Sequence, residues 1–321
     1  TVCLRIIYDT NSTNKTTAYL LLVIFIPIAG MMFYFWFGTN YRKRKVYSKK
    51  LIEDDVLARQ VIQEVISRTE VSLRRDMRVI GDASSLVKLL LRDSFSPLTT
   101  GNSVKLLQNG EEKFPEVLQA MEAAEHHIHI EYYIYEDDNV GHEIKEVLIR
   151  KAREGVKVRV IYDAFGSSIR RKFINELKEA GVEIYPFNRI RFILLANPIN
   201  YRNHRKIIVV DGHCGFVGGI NISDRYINDP RYHKGKNQVY WRDAHLRLDG
   251  PGVQYLQYLF FCDWNFCSGQ KLKPDRLYFR TAENPHGSES VQIAASGPDS
   301  PLSTIMLSLV KAINLARQEI L

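Results

Sequence analysis

Cysteine is scarce in this chain, and one stretch of it carries no charge. The 321 residues include four cysteines, Cys3, Cys214, Cys262 and Cys267, with no C-x-x-C pair. Cys262 and Cys267 have no histidines nearby at zinc-ligand spacing, which argues against a structural zinc site. Reduced thiols packed in the interior are expected instead. From Ala18 to Phe37 there is no Asp, Glu, Lys or Arg in twenty residues. About 20 apolar residues span a bilayer core, and Pro27 and Gly30 are tolerable inside such a helix. The segment is therefore read as a transmembrane helix, with Tyr34 and Trp36 at its interfacial end. A cleaved signal peptide has its basic residues before the apolar stretch, and here they follow it.

Those basic residues are Arg42, Lys43, Arg44, Lys45, Lys49 and Lys50. By the positive-inside rule they place everything after Phe37 in the cytoplasm. They also suit anionic lipid head groups, at roughly 1 kcal/mol each near the surface. The net charge of +8 could suggest nucleic acid as a partner. Six of the basic residues lie in this one block, however, so membrane anchoring explains much of the excess and no nucleic-acid partner is expected.

Residues 1–50 are thus read as a membrane anchor and 51–100 as a helical linker region. Within the linker, Leu51 to Ser72 has apolar residues at helical spacing, and Pro97 to Asn102 reads as a loop. A β/α alternation follows. Helices are expected at Phe114–Glu125, Gly141–Glu154, Ser168–Ala180 and Pro251–Phe266. Strands are expected at Ile128–Tyr135, Val156–Asp163, Val182–Phe187, His204–Val210, Cys214–Gly218 and Ala244–Leu248. Such alternation implies an α/β fold with a mixed, largely parallel sheet covered by helices on both faces. The loop Arg189 to Asn197 mixes basic and large apolar residues, as a surface loop with a buried patch or an entrance for acyl chains would.

Between the last of these strands lies a pattern that carries chemistry. His204, Lys206, Asp211, Gly218, Gly219 and Asn221 spell H-x-K-x4-D-x6-G-G-x-N. Side chains alternate along a strand, so His204 and Lys206 share a face, roughly 6.5–7 Å apart at the backbone. Lys206 would hold an anionic phosphate as a point charge with three donors. Neutral His204 could attack phosphorus or relay a proton. Gly218 and Gly219 allow close approach of backbone to ligand, and Asn221 offers an amide donor. Taken singly, each piece has a plain alternative: H-x-K as a surface coincidence, Asp211-Gly212 as a hairpin turn, Gly-Gly-x-Asn as a loop. Their combination at this spacing points to phosphoryl transfer with no metal or other cofactor. Glu131 alternates with Ile130 and Tyr132 on a central strand and could face the same site, since a buried carboxylate demands a partner.

The combination resembles the HKD motif of the phospholipase D superfamily, and within it the bacterial cardiolipin synthases. The likeness extends through His127-Ile128-His129-Ile130-Glu131-Tyr132-Tyr133-Ile134, Trp241-Arg242-Asp243-Ala244-His245 and Asp263-Trp264. It implies a phospholipase D-like fold and phosphatidyl transfer between two phosphatidylglycerol molecules at the bacterial cell membrane, with the catalytic domain cytoplasmic. His204 would form a phosphohistidine, with Lys206, Asn221 and Gly219 around the phosphate. Asp211 belongs to the motif and is more readily structural than catalytic. Asp243 is the candidate carboxylate for orienting His204, the plain alternative being a solvated Asp paired with Arg242 or Arg247. A phosphodiesterase or nuclease of the same superfamily, and a catalytically silent membrane protein, are the competing readings.

The superfamily builds one site from two motif-bearing halves, and one motif is present here. Residues 101–290 would be the first half. Phe114 to His129 aligns with Met306 to Leu321, so residues 291–321 are expected to start a second half with a helix and the first residues of a strand. Val2 to Tyr8 looks like the tail of an earlier apolar segment, with Asp9 to Thr17 as an outside turn. A homodimer in which each copy donates one motif is the remaining way to complete the site.

Overall fold

The computed structural model describes residues 2–9, 13–35, 69, 80–187, 203–232, 240–272, 275, 277–279, 287–297 and 302–320. The expected helix at Leu51–Ser72, the basic cluster and the loop Arg189–Asn197 lie outside them.

The centre is an eight-stranded mixed sheet. Its strands are β1 (Thr99–Gln108), β2 (His127–Tyr132), β3 (Lys157–Asp163), β4 (Glu183–Phe187), β5 (Lys206–Val210), β6 (Cys214–Gly218), β7 (Ala244–Asp249) and β8 (Glu289–Val291), in the order β4-β3-β2-β5-β6-β7-β1-β8. Only β2, β3 and β4 run parallel, and all other pairings are antiparallel. The expected largely parallel sheet is corrected accordingly. Parallel neighbours need a crossover, and helices at Asn139–Arg153 and Arg171–Glu179 supply it between the neighbouring strands β2 and β3 and β3 and β4. From β5 to β6 the chain turns at Asp211 and Gly212, with φ of 51° and 72°. Three residues, Asp211 to His213, separate the paired Val210 and Cys214, a short hairpin loop that brings the next strand back antiparallel. Pro97 to Asn102 is not the expected loop, because β1 already begins at Thr99.

Helices cover both faces. On the front, α5 (Asn109–Glu122), α6 (Asn139–Arg153) and α7 (Arg171–Glu179) pack on Ile128, Ile130, Val158, Val160, Ile208 and Phe216. On the back, α8 (Val253–Ser268) packs Leu256, Phe260, Phe261 and Trp264 on Ile207, Val209 and Ile161. A fully buried side chain of this size contributes about 1.5–3 kcal/mol. Helix ends follow local chemistry. The Asp138 side chain caps α6 by accepting from the Gly141 N–H at 3.0 Å, and Arg150, Lys151 and Arg153 occupy its last turn. Two further helices, α4 (Ser84–Ser94) and α9 (Thr304–Leu315), pack together. The segment expected to begin a second half holds the helix α9, and residues 316–320 form no strand.

The N-terminal apolar run departs most from expectation. It forms α1 (Val2–Asp9), α2 (Thr13–Phe25) and α3 (Pro27–Phe33), clustered around Ile6, Val23 and Tyr34. Ile26 precedes proline and takes φ −133°, ψ 71°, outside the helical region that proline disfavours for its predecessor. α3 consequently turns back on α2, so closely that a Cβ on Gly30 would lie 2.4 Å from the Leu22 carbonyl oxygen. No helix among the described residues is long and apolar enough to cross a membrane.

Candidate active site

β5 begins two residues after His204, yet the two-residue period carries past its end. Lys206 is buried, and its Nζ donates to the His204 carbonyl oxygen at 2.9 Å. The same nitrogen lies 3.0 Å from His204 Nδ1 and 3.2 Å from Nε2. The expected juxtaposition of imidazole and ammonium is thus formed. Tyr133, just beyond β2, sits behind both: its ring centroid is 4.7 Å from that of His204 and 5.5 Å from Lys206 Nζ.

These groups open onto a cavity of about 390 Å³, lined also by Ile134, Gly218, Gly219, Asn221, Tyr226, Trp241 and Asp243. Its wall at Gly218 and Gly219 requires glycine. A Cβ on Gly218 would lie 2.6 Å from the Ala244 carbonyl oxygen, and one on Gly219 would lie 2.1 Å from an Asp243 carboxylate oxygen. Distances under 3 Å cannot be accommodated without moving the wall. The backbone therefore comes against the cavity with nothing between. The Asn221 amide is partly engaged: Oδ1 accepts from the Ile134 N–H at 3.2 Å, and Nδ2 donates to the Tyr226 hydroxyl at 2.8 Å. An amide nitrogen has two hydrogens, so the other remains for a ligand.

Electrostatics suit an anion. Burial, and then the Lys206 ammonium, hold His204 below the ordinary histidine range, so it is neutral at pH 7. Burial pushes Lys206 down to about 8, with Asp243 partly opposing it, so it remains mostly charged. Two more basic groups lie beneath the floor. Lys113 on α5 is fully buried and donates to the Ile220 carbonyl at 2.9 Å. It also lies over the rings of Phe114 and Tyr132. Burial and Lys206 push its ammonium well below its usual range. His245 on β7, opposite Gly218, is likewise held low by burial, Lys113 and Lys206, and neither ring nitrogen has a hydrogen-bond partner.

The structure brings His204, Lys206, Gly219, Asn221 and Asp243 together and leaves two candidates elsewhere. Asp211 stands at the far end of β5. Burial alone would raise its carboxyl, but backbone N–H donors from Glu125, His127 and His126, each at 2.8 Å, carry it below the usual carboxylate range. It ties the α5–β2 connection to the hairpin and does not line the cavity, which corrects its placement among catalytic residues. Glu131 pairs in register with Ile207, not Lys206, and so faces α8 on the back of the sheet. The expectation that it faces the site is corrected by one residue of register. Asp243 lines the cavity, its carboxylate accepting from the Ala244 N–H at 2.7 Å. Its action on His204 is through charge, which favours the protonated ring. Tyr133, Trp241 and His245 enter the sequence reading only within the stretches of likeness, with no role in the site, and Tyr226 and Lys113 are not singled out there. Alternation alone would put Tyr133 with Glu131 on the back; it reaches the cavity because β2 ends at Tyr132. Lys113 comes from α5 and His245 from β7.

A model of the cardiolipin synthase PLD-like domain matches residues 117–233, and one of the phospholipase D-nuclease N-terminal region matches residues 1–38. The chain is 38% identical over 296 residues to a cardiolipin synthase of Alkalihalophilus pseudofirmus, covering 92% of this chain and 57% of that protein. It is 38% identical over 319 residues to cardiolipin synthase 2 of Bacillus cereus, covering 98% and 60%. A cardiolipin synthase of Geobacillus kaustophilus is 37% identical over 322 residues, covering 99% and 62%. The chain therefore spans about three-fifths of the length of the curated relatives it matches. With its H-x-K pair, glycine wall and mixed sheet, the chain belongs to the phospholipase D-like cardiolipin synthase family.

Proposed function

We propose that this protein transfers a phosphatidyl group from one phosphatidylglycerol to the hydroxyl of another, giving cardiolipin and glycerol. The observation that carries the reading is the His204–Lys206 pair, within 3.0 Å of each other at the mouth of a cavity walled by bare glycine backbone. Neutral His204 attacks phosphorus, and the bond from phosphorus to the glycerol oxygen breaks as the bond to nitrogen forms. A proton from a general acid completes the departing glycerol. The second phosphatidylglycerol hydroxyl then attacks the phosphohistidine, loses its proton to the same group and restores His204. Lys206 and the free hydrogen of Asn221 stabilise charge on the equatorial oxygens, while Gly219, with no side chain, leaves the phosphate room to approach. Asp243 sustains the charge on Lys206.

A second histidine as the acid comes from a second motif, either in a further half of the protein or in a second copy related by a twofold axis. The membrane enters through α1–α3, whose outer surface exposes Leu4, Ile7, Leu21, Ile24, Phe25 and Ile28. An apolar surface of that kind suits a lipid interior and supports residues 1–50 as the anchor, with residues 101–290 as the catalytic half and 291–321 as the start of the next. The substrates would then be phosphatidylglycerol and its anionic neighbours in the bacterial cell membrane. The test is to purify the protein in detergent and supply labelled phosphatidylglycerol. Cardiolipin, with a labelled phosphohistidine trapped at His204, supports the reading. Hydrolysis of nucleic acid without lipid turnover would replace it. A rate rising with the square of protein concentration would favour paired copies.

A further inference from the structure

Behind the pocket, on the face of the sheet covered by α8, lies a second and largely buried group of charges. β2 contributes Glu131 there, and α8 brings Asp263 to meet it; both are almost fully buried. Asn203 Nδ2 donates to Glu131 Oε1 and lies 3.5 Å from Asp263 Oδ2. Arg205 is ion-paired through Nη1 with Asp263 Oδ2, and the same nitrogen lies 3.9 Å from Glu131 Oε1. The Arg205 backbone N–H donates to Asn203 Oδ1 at 3.0 Å, and the Asn203 N–H to Asp163 Oδ2 at 3.4 Å. Both sequence neighbours of His204 are thus held on the back of the sheet, while His204 projects to the front.

Nothing about stability asks for this arrangement. Two carboxylates and one guanidinium in the interior cost desolvation that apolar residues of similar volume would not. Burial and the neighbouring Asp263 hold the Glu131 carboxyl well above its usual range, so the pair keeps a proton and the group stays compatible with the interior. What the group gains is direction. Three residues in a row, Asn203, His204 and Arg205, precede β5 and lack ladder hydrogen bonds of their own. Side-chain bonds to the first and third fix the peptide planes on either side of the second.

We propose that Glu131 and Asp263 are positioning residues for His204: from the far side of the sheet they clamp Asn203 and Arg205, and so fix the backbone from which the imidazole reaches the phosphate pocket. The proposal rests on reading His204 as the nucleophile, so the experiment reads the imidazole itself before it reads catalysis. Asn203→Ala opens the clamp without changing any charge, and Arg205→Gln does so at a side chain that is 27% exposed. Asp263→Asn and Glu131→Gln act on the carboxylates directly. In protein carrying ¹³C-labelled histidine, the His204 resonance is identified by its loss in His204→Ala and then titrated. Released from burial beside Lys206, the ring should titrate closer to the ordinary value of about 6.5 in Asn203→Ala and Arg205→Gln. Phosphatidyl transfer should fall about 10²-fold in kcat, the scale of a misplaced catalytic group, with KM little changed. Arg205→Lys, which keeps a cation for Asp263, should recover part of that loss. A lowered melting temperature with an unmoved His204 titration and unchanged kcat would overturn the proposal. Absence of transfer from the unsubstituted protein would count against the functional reading alone, since the His204 titration still decides the clamp.

Discussion

The two faces of β2 are both buried and have opposite chemistry. The front face presents Ile128, Ile130 and Tyr132 to α5, α6 and the continuous apolar cluster there. The back face presents His127, His129 and Glu131 to α8. His127 Nε2 lies 3.0 Å from Gln257 Oε1, and His129 Nδ1 lies 3.1 Å from the same oxygen. His129 stacks on Phe260 with 4.4 Å between centroids, and Arg159 reaches the Tyr278 hydroxyl at 3.2 Å. Burial keeps His127 at about 4 and His129 well below its usual range, so both are neutral rings packed as polar core. Alternation on a central strand therefore does not separate water from core. It separates an apolar layer from a polar one that must satisfy itself, and His204, the proposed nucleophile, stands where the two layers end.

The sharpest way to test this contrast is at the histidines. His204→Ala should abolish cardiolipin formation, a fall of about 10³-fold or more, while His126→Ala and His213→Ala should change the rate less than about twofold. A His204 variant that retains synthesis would remove the division between reactive and structural rings. Next comes the glycine wall. Gly219→Ala places a methyl group against the Asp243 carboxylate. It should displace Asp243 and cut kcat/KM by about 10²-fold, with the far-ultraviolet spectrum unchanged. Normal activity would mean that the wall yields.

Stability separates the faces in a different way. Ile130→Ala on the front should cost about 2–5 kcal/mol in urea unfolding, the range for a buried Ile truncated to Ala. Tyr278→Phe on the back loses one hydrogen bond to Arg159 and should cost about 1 kcal/mol. Equal losses would mean that the polar layer is as tightly coupled as the apolar one. Between them lies Asp211→Ala, which leaves three backbone N–H groups without their acceptor and should cost about 2–3 kcal/mol. The Asp211 carboxyl titrates lower in the folded protein than in the unfolded chain. Its contribution is therefore present above the ordinary carboxylate pKa of about 4 and fades as pH falls through the folded value.

The smallest effect is in pH dependence. The proposed mechanism needs neutral His204 and charged Lys206. The profile of kcat/KM should rise with a pKa below the ordinary histidine value and fall near Lys206's value of about 8. Asp243 raises Lys206, so Asp243→Asn should move the alkaline limb to lower pH. An unmoved limb would assign that titration to another group.

The residues themselves determined a good deal. The H-x-K spacing placed His204 and Lys206 on one side because the period of an extended chain is two. Asp211-Gly212 spelled a hairpin because both residues tolerate positive φ. The helices and strands from α5 to β7 emerged within a few residues, since each has a long apolar period. The sheet's direction did not emerge, because the β/α alternation ends at β4, and one short hairpin and a longer connection bring β6 and β7 back antiparallel. Nor did the fate of Glu131. One residue of register decides which face a strand residue joins, and that register is set by pairing with β5, more than seventy residues away in sequence. The place of Lys113 and His245 was equally illegible, since only packing put a helix residue and a strand residue under the same floor. The turn at Ile26–Pro27 is written in a proline, but a proline permits either a kinked helix or a reversal. Which of the two formed was decided by what α1 and α2 offered for α3 to pack against.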